Sequence, residues 1–275
     1  MSSVVLVTGC TTGGIGYSLC EEFARQGCKV YATSRRVETI AESSFPNIER
    51  LALDVTDDES VNKAIEHIIE KEGKLDIVVN NAGAIAGGAL LDQTMDNVQK
   101  SLDLNVVSIL RVSKAAMPHM ANRRSGLIIN IGSIVGEIPT PWNGLYCASK
   151  AAVHSMSQVL AMECQPYNVK VLHVAPGAIK SNIANNGTTQ FSLPENSLWK
   201  DYLPDMIRRI HASQTSGSLP NEAFAQAVVG KALKRSNSFY NYLTLGGQAF
   251  VFSVLKWLPR LTVLRLMWKT YSKKA

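Results

Sequence analysis

The run Val4-Val5-Leu6-Val7-Thr8-Gly9-Cys10-Thr11-Thr12-Gly13-Gly14-Ile15-Gly16 decides the architecture. It opens with β-branched and aliphatic residues that suit a buried strand. It closes on glycines at the start of a helical pattern, Ile15–Gln26. Glycines at a strand-to-helix turn let the backbone approach a pyrophosphate at a helix N-terminus. In that position the cluster is a fairly strong sign of a dinucleotide site. A glycine-rich turn without a ligand is the bland alternative.

Outward from this turn the pattern alternates. Further strand runs are expected at 29–33, 49–54, 75–80, 126–133, 169–175 and 239–245. Amphipathic helical stretches fall at 58–71, 93–103, 106–120, 145–164 and 222–233. Such alternation predicts an α/β fold, a single doubly wound parallel sheet of the Rossmann type with helices on both faces. With 275 residues, 46% of them hydrophobic, one large domain suffices. The expected organisation is a Rossmann-fold domain over 1–245 and a C-terminal amphipathic extension over 246–275. The stretch 181–220 breaks the alternation and mixes polar turn residues with Phe191, Leu193, Trp199 and Met206. A connection that long is usually a lid or a binding element.

About twenty residues after the glycines, an acid marks a free ribose 2′-hydroxyl. Here the chain reads Thr33-Ser34-Arg35-Arg36. A guanidinium pairs with a 2′-phosphate, so NADP(H) is expected over NAD(H), with Arg35 as its contact. Asp54 is placed to reach the adenine, and Asn81 to line the cofactor.

Tyr146 and Lys150 stand four apart, on one face of a helix. A nearby cation favours a phenolate, so Lys150 is expected to lower the Tyr146 pKa toward that of a useful proton donor. Ser133 would hold a substrate oxygen beside that phenol.

Together these residues resemble the short-chain dehydrogenase/reductase family. The resemblance rests on Thr8–Gly16, Asn80-Asn81-Ala82-Gly83, Asn105, Ser133, Tyr146 with Lys150, and Pro176-Gly177-Ala178-Ile179-Lys180-Ser181. It implies a Rossmann fold and hydride transfer between NADP(H) and a carbonyl or alcohol. Asn105, Ser133, Tyr146 and Lys150 would be catalytic, with Asn105 holding a water that relays protons toward Lys150. The implied cofactor contacts are Gly9, Thr11, Gly14, Ile15, Gly16, Arg35, Asp54, Asn81, Tyr146, Lys150, Ile179 and Ser181. Two departures appear. Gly13-Gly14 stands where one glycine is usual, which leaves open which of the two contacts phosphate. Ser181 replaces a threonine and keeps the hydroxyl. Within the family, the doubled glycine, the arginines and the basic tail are similar to those of fungal NADPH-dependent 1-acyldihydroxyacetone-phosphate reductases. Membrane-associated 17β-hydroxysteroid and retinol dehydrogenases share these traits. Reduction of a ketone on a lipid-like substrate is therefore expected. Steroid, retinoid or secondary-metabolite ketones are alternatives, as is an inactive NADPH-binding scaffold on lipid droplets.

The charge is uneven. Up to Glu222 there are 19 Lys+Arg against 22 Asp+Glu, and after it nine basic residues and no acid. The basic residues are interleaved with Leu, Trp, Phe and Val, which points to a lipid surface and away from nucleic acid. Lys256, Pro259, Arg260 and Arg265 interrupt the tail before it reaches spanning length. One or two interfacial helices are expected, anchored by Trp257 and Trp268, on the cytosolic face of the endoplasmic reticulum or on a lipid droplet. A helix covering the substrate mouth or a dimer partner is the alternative. Homo-oligomer contacts through 106–120 and 145–164 follow from the resemblance. The five cysteines show no metal-binding spacing and read as reduced packing thiols, so no metal is expected. Asn186-Gly187-Thr188 is read as an incidental sequon.

Overall fold

The computed structural model describes residues 2–234 and 236–272. Arg235, Lys273 and Lys274 of the basic tail lie outside the described residues. Seven parallel strands form one sheet: β1 (Val4–Val7), β2 (Lys29–Ser34), β3 (Ile48–Ala52), β4 (Ile77–Asn80), β5 (Gly126–Ile131), β6 (Val169–Pro176) and β7 (Tyr240–Leu245). Their order is β3-β2-β1-β4-β5-β6-β7. Connections run one way from β1 to β3 and the other way from β4 onward. The reversal leaves a crevice at the carboxyl ends of β1 and β4, where ligands bind in open α/β sheets.

The helices are α1 (Ile15–Arg25), α2 (Asp58–Glu72), α3 (Met95–Leu102), α4 (Ser108–Asn122), α5 (Gly144–Cys164), α6 (Ile183–Gln190), α7 (Leu203–Ile210), α8 (Asn221–Leu233), α9 (Ala249–Leu255) and α10 (Arg260–Tyr271). Covered on both faces, the strands are near-continuous apolar runs. On one face Val5, Val7, Val30 and Ile129 pack against Leu19 and Phe23 of α1 and Phe224 and Val228 of α8. On the other, Leu6, Val78 and Ile128 meet Ile65 and Ile68 of α2, Val112 and Ala116 of α4, and Ala161 of α5. Capping sets the limits of α2: the Asp57 carboxylate accepts from the Glu59 and Ser60 amides, and Gly73 ends the helix in the left-handed region.

Two regions differ from the sequence reading. The break expected between 103 and 106 is a π-helical turn, Asp103–Val107, that joins α3 to α4 without a loop. Such turns mark functional positions, and this one carries Asn105. The excursion 181–220 is largely helical, because burying Met206 and Ile210 against the body needs a regular face. The tail forms α9 and α10, with Pro259 at the N-cap of the second.

Candidate active site

The glycine loop is set by backbone geometry. Gly13 has φ +76°, a conformation that favours glycine. Gly14 takes the N-cap of α1, and its amide donates to Thr11 O at 3.0 Å. The first intrahelical bond runs from Ser18 N to Gly14 O. The amides of Ile15, Gly16 and Tyr17 precede it and have no helical acceptor, which makes them the anion-facing donors. Gly13 therefore shapes the turn, and Gly14 starts the helix that presents those donors. Gly16 has no room for a side chain: a Cβ would sit 2.6 Å from Gly9 O and 2.5 Å from Asn81 Nδ2.

Asn81 braces this turn, its Nδ2 donating to Thr8 O at 2.8 Å and Gly9 O at 3.1 Å. Thr11 is exposed on the loop. Thr12 Oγ1 bonds Thr39 O at 3.0 Å and accepts from Ala41 N at 2.7 Å, which draws the segment after β2 to the loop. Arg35 and Arg36 are exposed on that segment, with no ion pair among the described residues. Asp54 holds Thr56 through Oδ1, at 2.9 Å from its amide and 2.7 Å from its hydroxyl.

On the other side of the crevice lies a cavity lined by Ile15, Ser133, Asn143, Tyr146, Ile179, Ser181, Arg209, Gln248, Phe252 and Tyr271. Ser133 ends the segment after β5, its Oγ accepting from Val135 N at 3.3 Å. Tyr146 and Lys150 lie on the first turns of α5. Lys150 is buried, its Nζ donating to Ile131 O at 2.9 Å and lying 5.5 Å from the Tyr146 ring centroid. The structure thus brings Ser133, Tyr146 and Lys150 together as expected.

The electrostatics differ from the sequence reading. Burial pushes the Tyr146 phenol up to about 12, while the Arg209 guanidinium and a hydrogen bond with Ser133 pull the other way. Burial lowers the Lys150 ammonium to about 8. Desolvation penalises the charged form of both groups, and here it outweighs the expected acidification.

Asn105 is buried and close to Lys150, for a Cβ on Gly83 would lie 2.8 Å from Asn105 Oδ1 and 3.7 Å from Lys150 Nζ. Its amide is committed elsewhere. Oδ1 accepts from Ala84 N at 2.9 Å, while Nδ2 donates to Ala84 O at 3.0 Å and Ser101 Oγ at 3.2 Å. Its side chain therefore fixes the segment after β4. Ser181 has a buried Oγ with no partner among the described residues. A buried hydroxyl without a partner is costly, and one facing this crevice suits the carboxamide of a nicotinamide. With the glycine turn, the helix start and the exposed arginines, the chain fits a dinucleotide.

Two contributors escaped the sequence reading, and a third, the tail, takes the place that the sequence left as an alternative. Asn143 caps this wall of the cavity with an unpartnered buried Oδ1. Asn182 Nδ2 donates to Thr12 O at 2.8 Å, linking the excursion to the glycine loop. The tail itself closes the site: Phe252, Leu255, Val263 and Met267 pack on Ile134, Val135, Ile138 and Cys147. Trp142 Nε1 donates to Tyr271 O at 3.1 Å. No local pattern announces these contacts, because their partners lie up to 170 residues away.

The family model described as short chain dehydrogenase matches residues 3–191. The chain belongs to the short-chain dehydrogenases. This family of oxidoreductases includes an NADPH-dependent 1-acyldihydroxyacetone phosphate reductase of Schizosaccharomyces pombe. The two are 36% identical over 203 residues, 72% of this chain and 68% of the relative. A 3-ketodihydrosphingosine reductase of Bacteroides thetaiotaomicron is 32% identical over 234 residues, 85% of this chain and 84% of that one. Among solved structures, a short-chain dehydrogenase from Streptomyces avermitilis superposes with a TM-score of 0.80 at 28% identity. That match covers 100% of this chain and 97% of the other. Ser133, Tyr146 and Lys150 all lie within the matched residues.

Proposed function

We propose that this short-chain dehydrogenase uses NADP(H) to reduce a ketone on a lipid-like substrate to a secondary alcohol, at the surface of a membrane or lipid droplet. The observation that carries the reading is one cavity where the Ser133 hydroxyl, the Tyr146 phenol and the orphaned Ser181 hydroxyl converge beneath an apolar helix, α9. Bound in the crevice, the nicotinamide would supply hydride. The chain's residues do the rest. Ser133 donates to the carbonyl oxygen and stabilises negative charge as it develops there. Tyr146 gives that oxygen its proton; with its pKa held near 12 the phenol is protonated at neutral pH, the form reduction requires. Lys150, whose Nζ donates to Ile131 O, would hold the ribose hydroxyls.

Arg35 and Arg36, with no acid at the end of β2, favour a 2′-phosphate. The NADPH dependence of the fission-yeast relative agrees with that choice. Both relatives described above are named for ketone substrates that carry a long chain, which supports a lipid-like substrate here.

The tail supports the lipid surface. Its inner face, Ala249, Phe252, Leu255, Val263 and Met267, is buried on the body. Its outer face exposes Phe250 (81%), Trp257 (84%) and Leu261 (59%) among Lys256, Arg260, Arg265 and Lys269. No described helix is long and apolar enough to cross a membrane. An apolar face ringed by cations and lacking any acid suits an anionic lipid interface. Docking there would bring the mouth of the cavity to its substrate.

The test is NADPH oxidation with long-chain ketones by the wild type and by Tyr146→Phe. The wild type should turn over and the variant should lose about 10²–10⁴-fold while still binding NADPH by fluorescence. Near-normal reduction by the variant would remove the phenol from the mechanism.

A further inference from the structure

Arg209 is unlike its neighbour on α7. Arg208 pairs with Asp205, three residues earlier on the same helix. Arg209 turns toward the catalytic cavity, where it lines the wall with Ser133 and Tyr146. Its Nε donates to Thr140 Oγ1 at 2.8 Å, and its guanidinium lies 5.2 Å from the centre of the Tyr271 ring. Both partners are uncharged. Among the described residues Arg209 has no carboxylate partner, and its two Nη groups make no hydrogen bond. A guanidinium cannot discharge by losing a proton, so a half-buried one normally has an anion beside it. Thr140 and Tyr271 fix its orientation and bring no negative charge to it. That is preorganisation for an anion supplied from outside.

A second observation lies in the same wall. Asn143, three residues before Tyr146, is buried, and its Oδ1 has no partner. A buried amide oxygen left alone costs about 1–3 kcal/mol. The carboxamide can turn to present either its oxygen or its NH2. It can therefore take a hydroxyl or an ester oxygen on the same ligand.

We propose that Arg209 and Asn143 form an anion-recognising subsite beside the reacting carbonyl, and that the preferred substrate is a long-chain ketone bearing a phosphate or a carboxylate near that carbonyl. The inference rests on the ketone-reductase reading and narrows it. The two relatives differ on this point by name, one substrate being a phosphate and the other not. On this chain a cavity-lining guanidinium with no carboxylate partner among the described residues favours the anionic kind. Arg209 is a specificity residue in this scheme. The apolar wall formed with Phe252 takes the chain.

The experiment compares three ketones with the same acyl chain, headed by a phosphate, a carboxylate or a neutral hydroxyl. NADPH oxidation is measured for the wild type, Arg209→Gln and Arg209→Lys. Losing one charged hydrogen-bond donor costs about 1.5–3 kcal/mol, which is about tenfold or more in kcat/KM. The wild-type ratio of kcat/KM for anionic over neutral ketone should fall by that factor in Arg209→Gln, mainly through KM, with partial recovery in Arg209→Lys. The phosphate and carboxylate arms say which anion the subsite takes. An unchanged ratio overturns the proposal, including the case where all three ketones suffer equally. A binding measurement stands apart from turnover: calorimetric titration of the NADP+-saturated protein with 1-acylglycerol 3-phosphate and with monoacylglycerol. Tighter binding of the phosphate, lost in Arg209→Gln, supports the subsite even if no ketone is reduced, and in that case only the reductase reading falls. Equal affinity for the two lipids, with ketone reduction intact, sinks the subsite and leaves the reductase.

Discussion

The two sides of the crevice are built differently. The nucleotide side, β1 to β3 with the glycine loop, is made mostly of backbone. Amides at the start of α1 and the left-handed Gly13 do the work, within a few residues of one another. The substrate side is made of side chains from distant segments: Asn143 at the N-cap of α5, Tyr146 on α5, Arg209 on α7, Phe252 on α9 and Tyr271 on α10. A backbone site tolerates little change and accepts one kind of ligand. A side-chain site can be retuned residue by residue, so substrate choice is located there.

The largest test of this contrast is Gly16→Val. The added Cβ alone would lie 2.6 Å from Gly9 O. NADPH binding should be lost outright, and thermal unfolding should show a destabilisation of about 1–3 kcal/mol from overpacking. A variant that bound NADPH normally would show that the loop is not the shape-defining half.

Lys150→Met separates function from stability. Burial lowers the folded pKa of Lys150 to about 8, from 10.5 for a lysine in water. The unfolded chain therefore binds more protons between those values, and stability should rise as pH climbs from about 8 toward 10.5. Below pH 8 the ligand-free fold carries the full penalty, on the order of 3 kcal/mol. Lys150→Met should therefore raise the melting temperature at pH 7 and flatten that pH dependence, while turnover collapses. A lower melting temperature at pH 7 would mean that the ammonium's contacts outweigh its desolvation.

Smaller effects are expected at the rim. Replacing both Arg35 and Arg36 with Gln should weaken NADPH about tenfold or more and leave NADH nearly unchanged, for the loss of charged hydrogen bonds to one phosphate. Equal losses for both cofactors would point to damage to the loop. On the tail, Trp257→Ser with Leu261→Ser alters only exposed positions. Flotation with phosphatidylcholine–phosphatidylserine vesicles should drop several-fold, since each large side chain contributes about 1.5–3 kcal/mol on burial. Unchanged flotation would remove the lipid-facing role of the outer face. Point changes are preferred to deletion of the tail, because α9 and α10 bury Phe252, Leu255, Val263 and Met267 against the catalytic segment.

Much of this was legible in the chain. The alternation of apolar runs and amphipathic stretches locates all seven strands to within a few residues. The spacing of Ser133, Tyr146 and Lys150 identifies a set that the fold brings together. Less legible were the committed amide of Asn105 and the phenol's high pKa, since both depend on neighbours that are remote in sequence. The tail was ambiguous for a different reason. Its helices are apolar on two faces, and a sequence does not say which face finds protein and which finds lipid.

The sequence by itself determined the sheet, the dinucleotide turn and the reacting groups, because each rests on contacts between near neighbours or on a periodicity that the chain carries openly. Only the tertiary structure decided that α9 and α10 roof the cavity, that Arg209 faces it with no carboxylate partner among the described residues, and that Asn143 Oδ1 and Ser181 Oγ find no hydrogen-bond partner among them. These outcomes depend on which distant surfaces exclude water together. Burial sets the worth of a charge or a hydrogen bond, and burial exists only once the chain has packed.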